Sequence, residues 1–119
     1  MARNILIVDD DPTHRARAEK VLSANGYQVS TANNGVEAIA AVKRMKPDAI
    51  LMDVNMPGMD GFATTRALRS DGATKNIPVV LVTSKGQKAD KAWGQMLGAK
   101  GHVTKPYTDE QLLTEVQAL

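Results

Sequence analysis

Short apolar runs alternate with helix-period stretches along the whole chain. Residues 4–8 (NILIV), 28–32, 48–53 (DAILMD), 77–83 (IPVVLVT) and 102–104 read as five strands. Between them lie helix signals. Asp11 is a good N-cap and Pro12 a good first-turn residue for a helix over 12–24, which Gly26 stops. Asn34 caps a second helix to about Met45, and Pro47 prevents its continuation. Residues 55–61 (NMPGMDG) are a loop by composition, and Asp60 caps a third helix to about Ser70. Ala89, Ala92, Trp93, Met96 and Leu97 share one face of a fourth, ended by Gly98. Thr108 and Gln111 make a capping-box pattern ahead of Leu112, Leu113, Val116 and Leu119.

This is five β/α units with no linker, repeat or low-complexity segment. Near-continuous apolar strands alternating with helices predict an α/β fold, a doubly wound parallel sheet covered on both faces with right-handed crossovers. The expected organisation is a single domain over residues 1–119 with no effector domain. In such sheets chemistry sits at the carboxyl ends of the strands.

Composition narrows the class. With 43% hydrophobic residues in 119, long disorder is not expected. Absence of Cys excludes a disulfide framework and thiolate-ligated metal sites, and is compatible with a reducing cytoplasm. No run approaches the roughly 20 apolar residues of a membrane span, and the N-terminal apolar run is too short for a signal peptide. A cytoplasmic protein without membrane insertion is expected. The net charge of +2, without a clustered basic stripe, argues against a nucleic-acid partner.

The strand ends carry the chemistry. The first strand ends in Asp9, Asp10 and Asp11, the third in Asp53, the fourth in Thr83 and Ser84, and the fifth leads into Lys105 and Pro106. Each alone is a weak signal; together they place carboxylates, a hydroxyl and an ammonium on one sheet edge. Crowded carboxylates repel and raise one another's proton affinity unless a cation intervenes. Hard oxygens suit Mg²⁺, which takes one or two carboxylates and a phosphoryl oxygen. A Lys and a Thr could neutralise and donate to further phosphoryl oxygens. The remaining carboxylate is then a nucleophile able to form an acyl phosphate.

Over its whole length the sequence resembles the response-regulator receiver domains of two-component signalling, CheY-like proteins. The matching pieces are ILIVDDDP, ILMDVNMPGMDG, VVLVTS and TKP, in order and spacing. The resemblance implies a flavodoxin-like (βα)5 fold with sheet order 2-1-3-4-5, the order for which this family is a known example. It implies Asp53 as phosphoacceptor, and Mg²⁺ held by Asp9, Asp10, Asp53 and the backbone carbonyl of Asn55, with Asp10 the closer ligand of the acid pair. Thr83 would bind the phosphoryl group and move with it. Lys105 would pair with that group, and the Lys105–Pro106 bond would be cis. Residues 90–99 (DKAWGQMLGA) further resemble stand-alone receivers of chemosensory systems that control type IV pili and twitching motility. That likeness implies a CheA-like histidine kinase as donor and a target protein on the face made by the 89–97 helix, the fifth strand and the last helix. The expected molecule is a monomer or weak dimer. It is a self-phosphorylating and self-dephosphorylating signalling domain, not a turnover enzyme.

Two positions depart from the family pattern. His102 stands where the family carries a Tyr or Phe switch residue, and its imidazole titrates near neutral pH. Ser84 replaces a common Ala. Plain alternatives stand beside several assignments. Ser84 with Gln87 fits a capping box. His14 reads as a solvated helix residue and His102 as either a strand residue or a switch. Lys85, Lys88 and Lys91 are either a solvated face or a patch for an acidic partner, and Trp93 either a core-edge residue or a binding anchor. Gly86 and Gly94 predict that the 89–97 helix is the least stable one.

Other functions fit less well. A dehalogenase-type phosphatase needs an Asp two residues after its nucleophile, where this chain has Asn55. A flavodoxin needs a phosphate-holding loop after the first strand, and the acidic DDDP would repel one. Two outputs stay open: an active switch, or a phosphate sink that drains a shared kinase with no downstream target.

Overall fold

The computed structural model describes residues 3–84 and 98–119. Five parallel strands form one sheet in the order β2-β1-β3-β4-β5. They are β1 (Asn4–Val8), β2 (Gln28–Ala32), β3 (Ala49–Asp53), β4 (Val79–Ser84) and β5 (Gly101–Lys105). Four helices are described: α1 (Pro12–Ala24), α2 (Gly35–Met45), α3 (Gly61–Arg69) and α4 (Asp109–Gln117). This is the doubly wound order expected from the sequence.

The central strands β1, β3 and β4 are apolar because both sheet faces are buried there, while the edge strands β2 (QVSTA) and β5 (GHVTK) are more polar and only partly buried. Side chains alternate between faces. Ile5, Ile7, Leu51, Val80, Val82 and Val103 meet Leu22 of α1 and Leu112 and Val116 of α4. Leu6, Val8, Ile50, Met52, Val79 and Leu81 meet Ala38 and Val42 of α2 and Leu68 of α3.

The caps form as the sequence predicts. Thr13 N–H donates to Asp11 Oδ1, Glu37 N–H to Asn34 Oδ1 and Ala63 N–H to Asp60 Oδ1, at 2.8–2.9 Å. Thr108 and Gln111 satisfy each other's backbone N–H groups. Gly26 ends α1 at φ +89°, a conformation open to Gly at little cost.

The edges of three strands differ from expectation. β4 starts at Val79, two residues late, because Pro78 has no N–H to give; its carbonyl accepts from Ile50 N–H at 2.9 Å. Asp48 is not in β3: its carboxylate accepts from Asn4 N–H at 2.7 Å and closes the amino-terminal edge of the sheet. β5 is longer than the three residues expected, because Gly101 pairs with Val80 and Lys105 with Ser84. The helix expected over 89–97, with Lys85, Gly86, Gln87, Lys88, Lys91, Trp93 and Gly94, lies outside the described residues.

Candidate functional site

Parallel register brings the strand ends together. Val8 is aligned with Met52, so Asp9 leaves β1 opposite Asp53, the last residue of β3. Asp53 is in turn aligned with Val82, one residue before Thr83. Asp9, Asp10 and Asp53 each offer a carboxylate oxygen within 4.8 Å of the others. Asp9 and Asp53 are buried, at 5% and 3% exposure, while Asp10 opens to solvent.

Two buried carboxylates at that range need positive charge. Lys105 reaches in from the end of β5, with Nζ 3.0 Å from Asp9 Oδ2 and 3.4 Å from Asp53 Oδ1. Asp9 Oδ1 also accepts from Asp11 N–H at 2.9 Å. The Asp53 carboxyl is nevertheless pushed up to about 6, first by burial and then by the charge on Asp9, against the pull of Lys105. Burial works against the charge on Lys105, but its hydrogen bond to Asp9 and the charge of Asp53 outweigh this and raise its pKa. A pocket of hard carboxylate oxygens that strains to stay ionised suits a divalent cation with oxygen preference, which fits Mg²⁺.

His14 is the solvated helix residue expected from the sequence, and it also touches this pocket. Its Nδ1 lies 2.9 Å from Lys105 Nζ. An ammonium only donates, so Nδ1 accepts and the ring proton sits on Nε2. All three Lys105 protons are then engaged, by Asp9, Asp53 and His14. His14 is half exposed on α1, and the contact forms because the Lys105 side chain extends from the end of β5 to Asp9 and Asp53, beside the first turn of α1. Lys105–Pro106 is cis, as the resemblance implied.

Among the described residues the other side of the site is built from hydrogen bonds of Thr83, His102, Asn55 and Ser84. Leu81 pairs with His102 and Thr83 with Thr104, so Thr83 and His102 are diagonal neighbours on one sheet face. Thr83 Oγ1 and His102 Nε2 are 2.7 Å apart, and Thr83 is 1% exposed. Asn55 Nδ2 donates to Ser84 Oγ at 2.7 Å, closing the loop after β3 onto the end of β4. The side chain of Asn55 thus has a positioning contact that the sequence did not indicate. Pro106 lines a 320 Å³ cavity beside the pocket with His14, Arg17, Ser84, Lys105 and Tyr107. Arg17 donates to the carbonyl of Tyr107 at 2.7 Å and covers its ring at 4.8 Å, holding the 106–108 turn against α1.

A tight backbone fit fixes the loop after Asp53. Gly61 N–H donates to the carbonyl of Val54 at 3.0 Å. A Cβ on Gly61 would run into the carbonyl oxygen of Asp53 and lie 2.7 Å from Val54 Cα. The Gly at this position lets α3 start directly against the acidic strand end.

Among the described residues no helix is long and apolar enough to cross a membrane. Comparison with known proteins agrees with the geometry. The chain is 46% identical over 119 residues to Protein PilH of Pseudomonas aeruginosa, covering 100% of this chain and 98% of that protein. It superposes on a putative response regulator from Chloroflexus aurantiacus with a TM-score of 0.96 at 34% identity, covering 99% and 97% of the two chains. Chemotaxis protein CheY4 of Vibrio cholerae gives 0.92 at 35% identity, covering 99% and 98%. The response regulator receiver domain model matches residues 5–117, so the acidic pocket and its parallel scaffold are those of a family member: the chain belongs to the response regulator receiver domains.

Proposed function

We propose that this receiver takes a phosphoryl group from a phosphohistidine donor onto Asp53, with Mg²⁺, and signals the change through the face formed by the 89–97 segment, β5 and α4. One observation carries the reading: Asp9, Asp10 and Asp53 converge within 4.8 Å and share one ammonium, Lys105.

The residues divide the work. Asp53, as carboxylate, attacks phosphorus; the P–N bond to the donor imidazole breaks as the O–P bond of an acyl phosphate forms. Asp9, Asp10, Asp53 and the backbone carbonyl of Asn55 would hold Mg²⁺, whose charge lets the carboxylates ionise together and offsets the phosphoryl oxygens. Lys105 turns a proton from Asp53 to a phosphoryl oxygen. Thr83 donates its hydroxyl to another, and this draws the end of β4 toward the site. Ser84, His102 and Pro106 line the route by which that movement reaches β5. Lys85, Lys88, Lys91 and Trp93 supply a partner surface for a target protein.

The protein works in the cytoplasm as a monomer or weak dimer. The likeness to PilH and to CheY4 supports a CheA-like kinase as donor and a chemosensory pathway acting on twitching motility. The test is incubation with acetyl phosphate and Mg²⁺ followed by intact mass. Wild type should gain one phosphoryl group and Asp53→Asn none; an adduct that persists in Asp53→Asn, or its absence in wild type, overturns the assignment.

A further inference from the structure

An ammonium has three protons and only donates. Asp9 Oδ2 takes one Lys105 proton at 3.0 Å, Asp53 Oδ1 another at 3.4 Å, and His14 Nδ1 the third at 2.9 Å. In the exchange proposed above, the Asp53 contact passes to a phosphoryl oxygen. Asp9 and His14 are the two contacts that stay, and Nζ turns about them. An imidazole is the side chain that ordinarily gains charge between about pH 5 and 8, and the proton it gains uses the lone pair that Lys105 needs.

His14 Nδ1 also has an anionic neighbour. Asp11 Oδ2 lies 3.4 Å away, and the Asp11 carboxyl is held below its ordinary range by its hydrogen bond from Thr13 N–H. Nδ1 thus stands between a cation and an anion. Neutral, its lone pair serves Lys105. Protonated, its N–H serves Asp11, and a positive ring stands beside a positive ammonium. Among the described residues Arg17 and Tyr107 are the other ionisable groups that line the cavity with His14 and Lys105. Arg17 is tied to the Tyr107 carbonyl and to Asp109 at 3.2 Å, and burial raises the Tyr107 hydroxyl and keeps it neutral.

We propose that His14 is a positioning residue for Lys105: neutral, it anchors the ammonium while a phosphoryl oxygen replaces Asp53; protonated at Nδ1, it pairs with Asp11, releases Lys105 and slows phosphoryl acceptance. The inference rests on the assignment of Lys105 as a phosphoryl partner made above. It makes the acceptor step sensitive to acid through a residue on α1 whose contacts among the described residues, Lys105 and Asp11, are not assigned Mg²⁺ ligands.

The experiment uses the full chain with saturating Mg²⁺. Acetyl-phosphate rates are compared for wild type, His14→Asn and His14→Leu at about pH 5.5 and about pH 8, on either side of the ordinary imidazole range. Asn puts an amide oxygen where Nδ1 stands and does not titrate; Leu offers no acceptor. Asp53, His102 and the donor titrate in all three reactions, so ratios of rates isolate residue 14. At the alkaline value His14→Asn should match wild type, and His14→Leu should fall roughly two- to fivefold, the worth of one hydrogen bond at a half-exposed place. At the acid value neither variant should be slower than wild type, and His14→Asn should exceed it by roughly two- to fivefold. A helix-surface role alone would give ratios that do not change with pH. Histidine ¹⁵N spectra at the alkaline value should show His14 with a bare Nδ1 and hydrogen on Nε2. Thermal melts identify a variant that fails to fold, and the other then carries the comparison. A pH-independent ratio of wild type to either folded variant, or hydrogen on Nδ1 of the neutral ring, overturns the proposal. A wild-type protein that forms no Asp53-dependent adduct at all overturns the phosphoacceptor assignment instead, so the two failures are told apart.

Discussion

The two sides of the strand-end site are held by different physics. On one side Asp9, Asp10 and Asp53 crowd around Lys105, and the arrangement is governed by charge. On the other, Thr83 meets His102 and Asn55 meets Ser84 through hydrogen bonds whose direction matters. The charged side stores repulsion: Asp53 is pushed up to about 6 although an ammonium sits 3.4 Å away. Ligand binding should therefore change the energy of the first side strongly, and on the second mainly redirect protons and side chains.

Asp53→Asn is the most severe way to break the contrast. It should abolish the phosphoryl adduct seen by mass, while leaving the protein folded. Gly61→Ala comes next. Its methyl meets the Asp53 carbonyl and Val54 Cα, backbone atoms that cannot step aside, so a loss of about 3 kcal/mol is expected in urea unfolding. A loss below about 1 kcal/mol would mean the start of α3 is looser than the Gly61 to Val54 hydrogen bond indicates.

Titration sharpens the comparison at smaller scale. The folded-state value of Asp53, about 6, lies above its ordinary value of 3.8. The folded protein therefore holds this proton more tightly than the unfolded chain does. The corresponding stability is fully present below about pH 4 and is lost as pH rises through about 6. The expected loss without divalent cation is on the order of 2 kcal/mol. It should be absent from Asp53→Asn, and Mg²⁺ should restore much of it near pH 7. The measurement is the difference between wild type and Asp53→Asn in urea unfolding at about pH 4 and pH 7, in chelator and in Mg²⁺. Equal pH dependence in the two proteins would remove Asp53 as the strained group. The smallest effect belongs to the hydrogen-bonded side. Ser84→Ala deletes the acceptor of Asn55 Nδ2 at a partly exposed place, and should lower stability by roughly 0.5–1 kcal/mol with no dependence on pH between about 4 and 7. A pH-dependent loss would show that the two sides are coupled.

The charged side was largely legible in the sequence and the hydrogen-bonded side only in part. Asp9, Asp10, Asp53 and Lys105 each follow an apolar run, and parallel strands share one carboxyl edge, so their meeting follows from the pattern alone. Asn34, Asp60 and Thr108 announced their caps because capping is a contact within four residues. His14 was not legible. Its contact with Lys105 spans 91 residues and depends on how far the Lys105 side chain reaches from the end of β5 toward the first turn of α1. The Asn55 to Ser84 hydrogen bond spans 29 residues and depends on a loop conformation. β4 starts two residues after the apolar run does because Ile77 and Pro78 continue the run but not the ladder.

The sequence by itself determined the order of the elements, their caps, the buried character of the central strands and the group of residues gathered at one sheet edge. These are local or periodic properties, set by backbone hydrogen bonding and by which residues water rejects. Only the tertiary structure decided which of those residues touch. Register put Thr83 against His102, the reach of Lys105 across the strand ends brought it to His14, and the bare Cα of Gly61 let α3 begin against Asp53. Distances of a few tenths of an ångström separate a hydrogen bond from a neighbour, and no linear pattern carries that resolution.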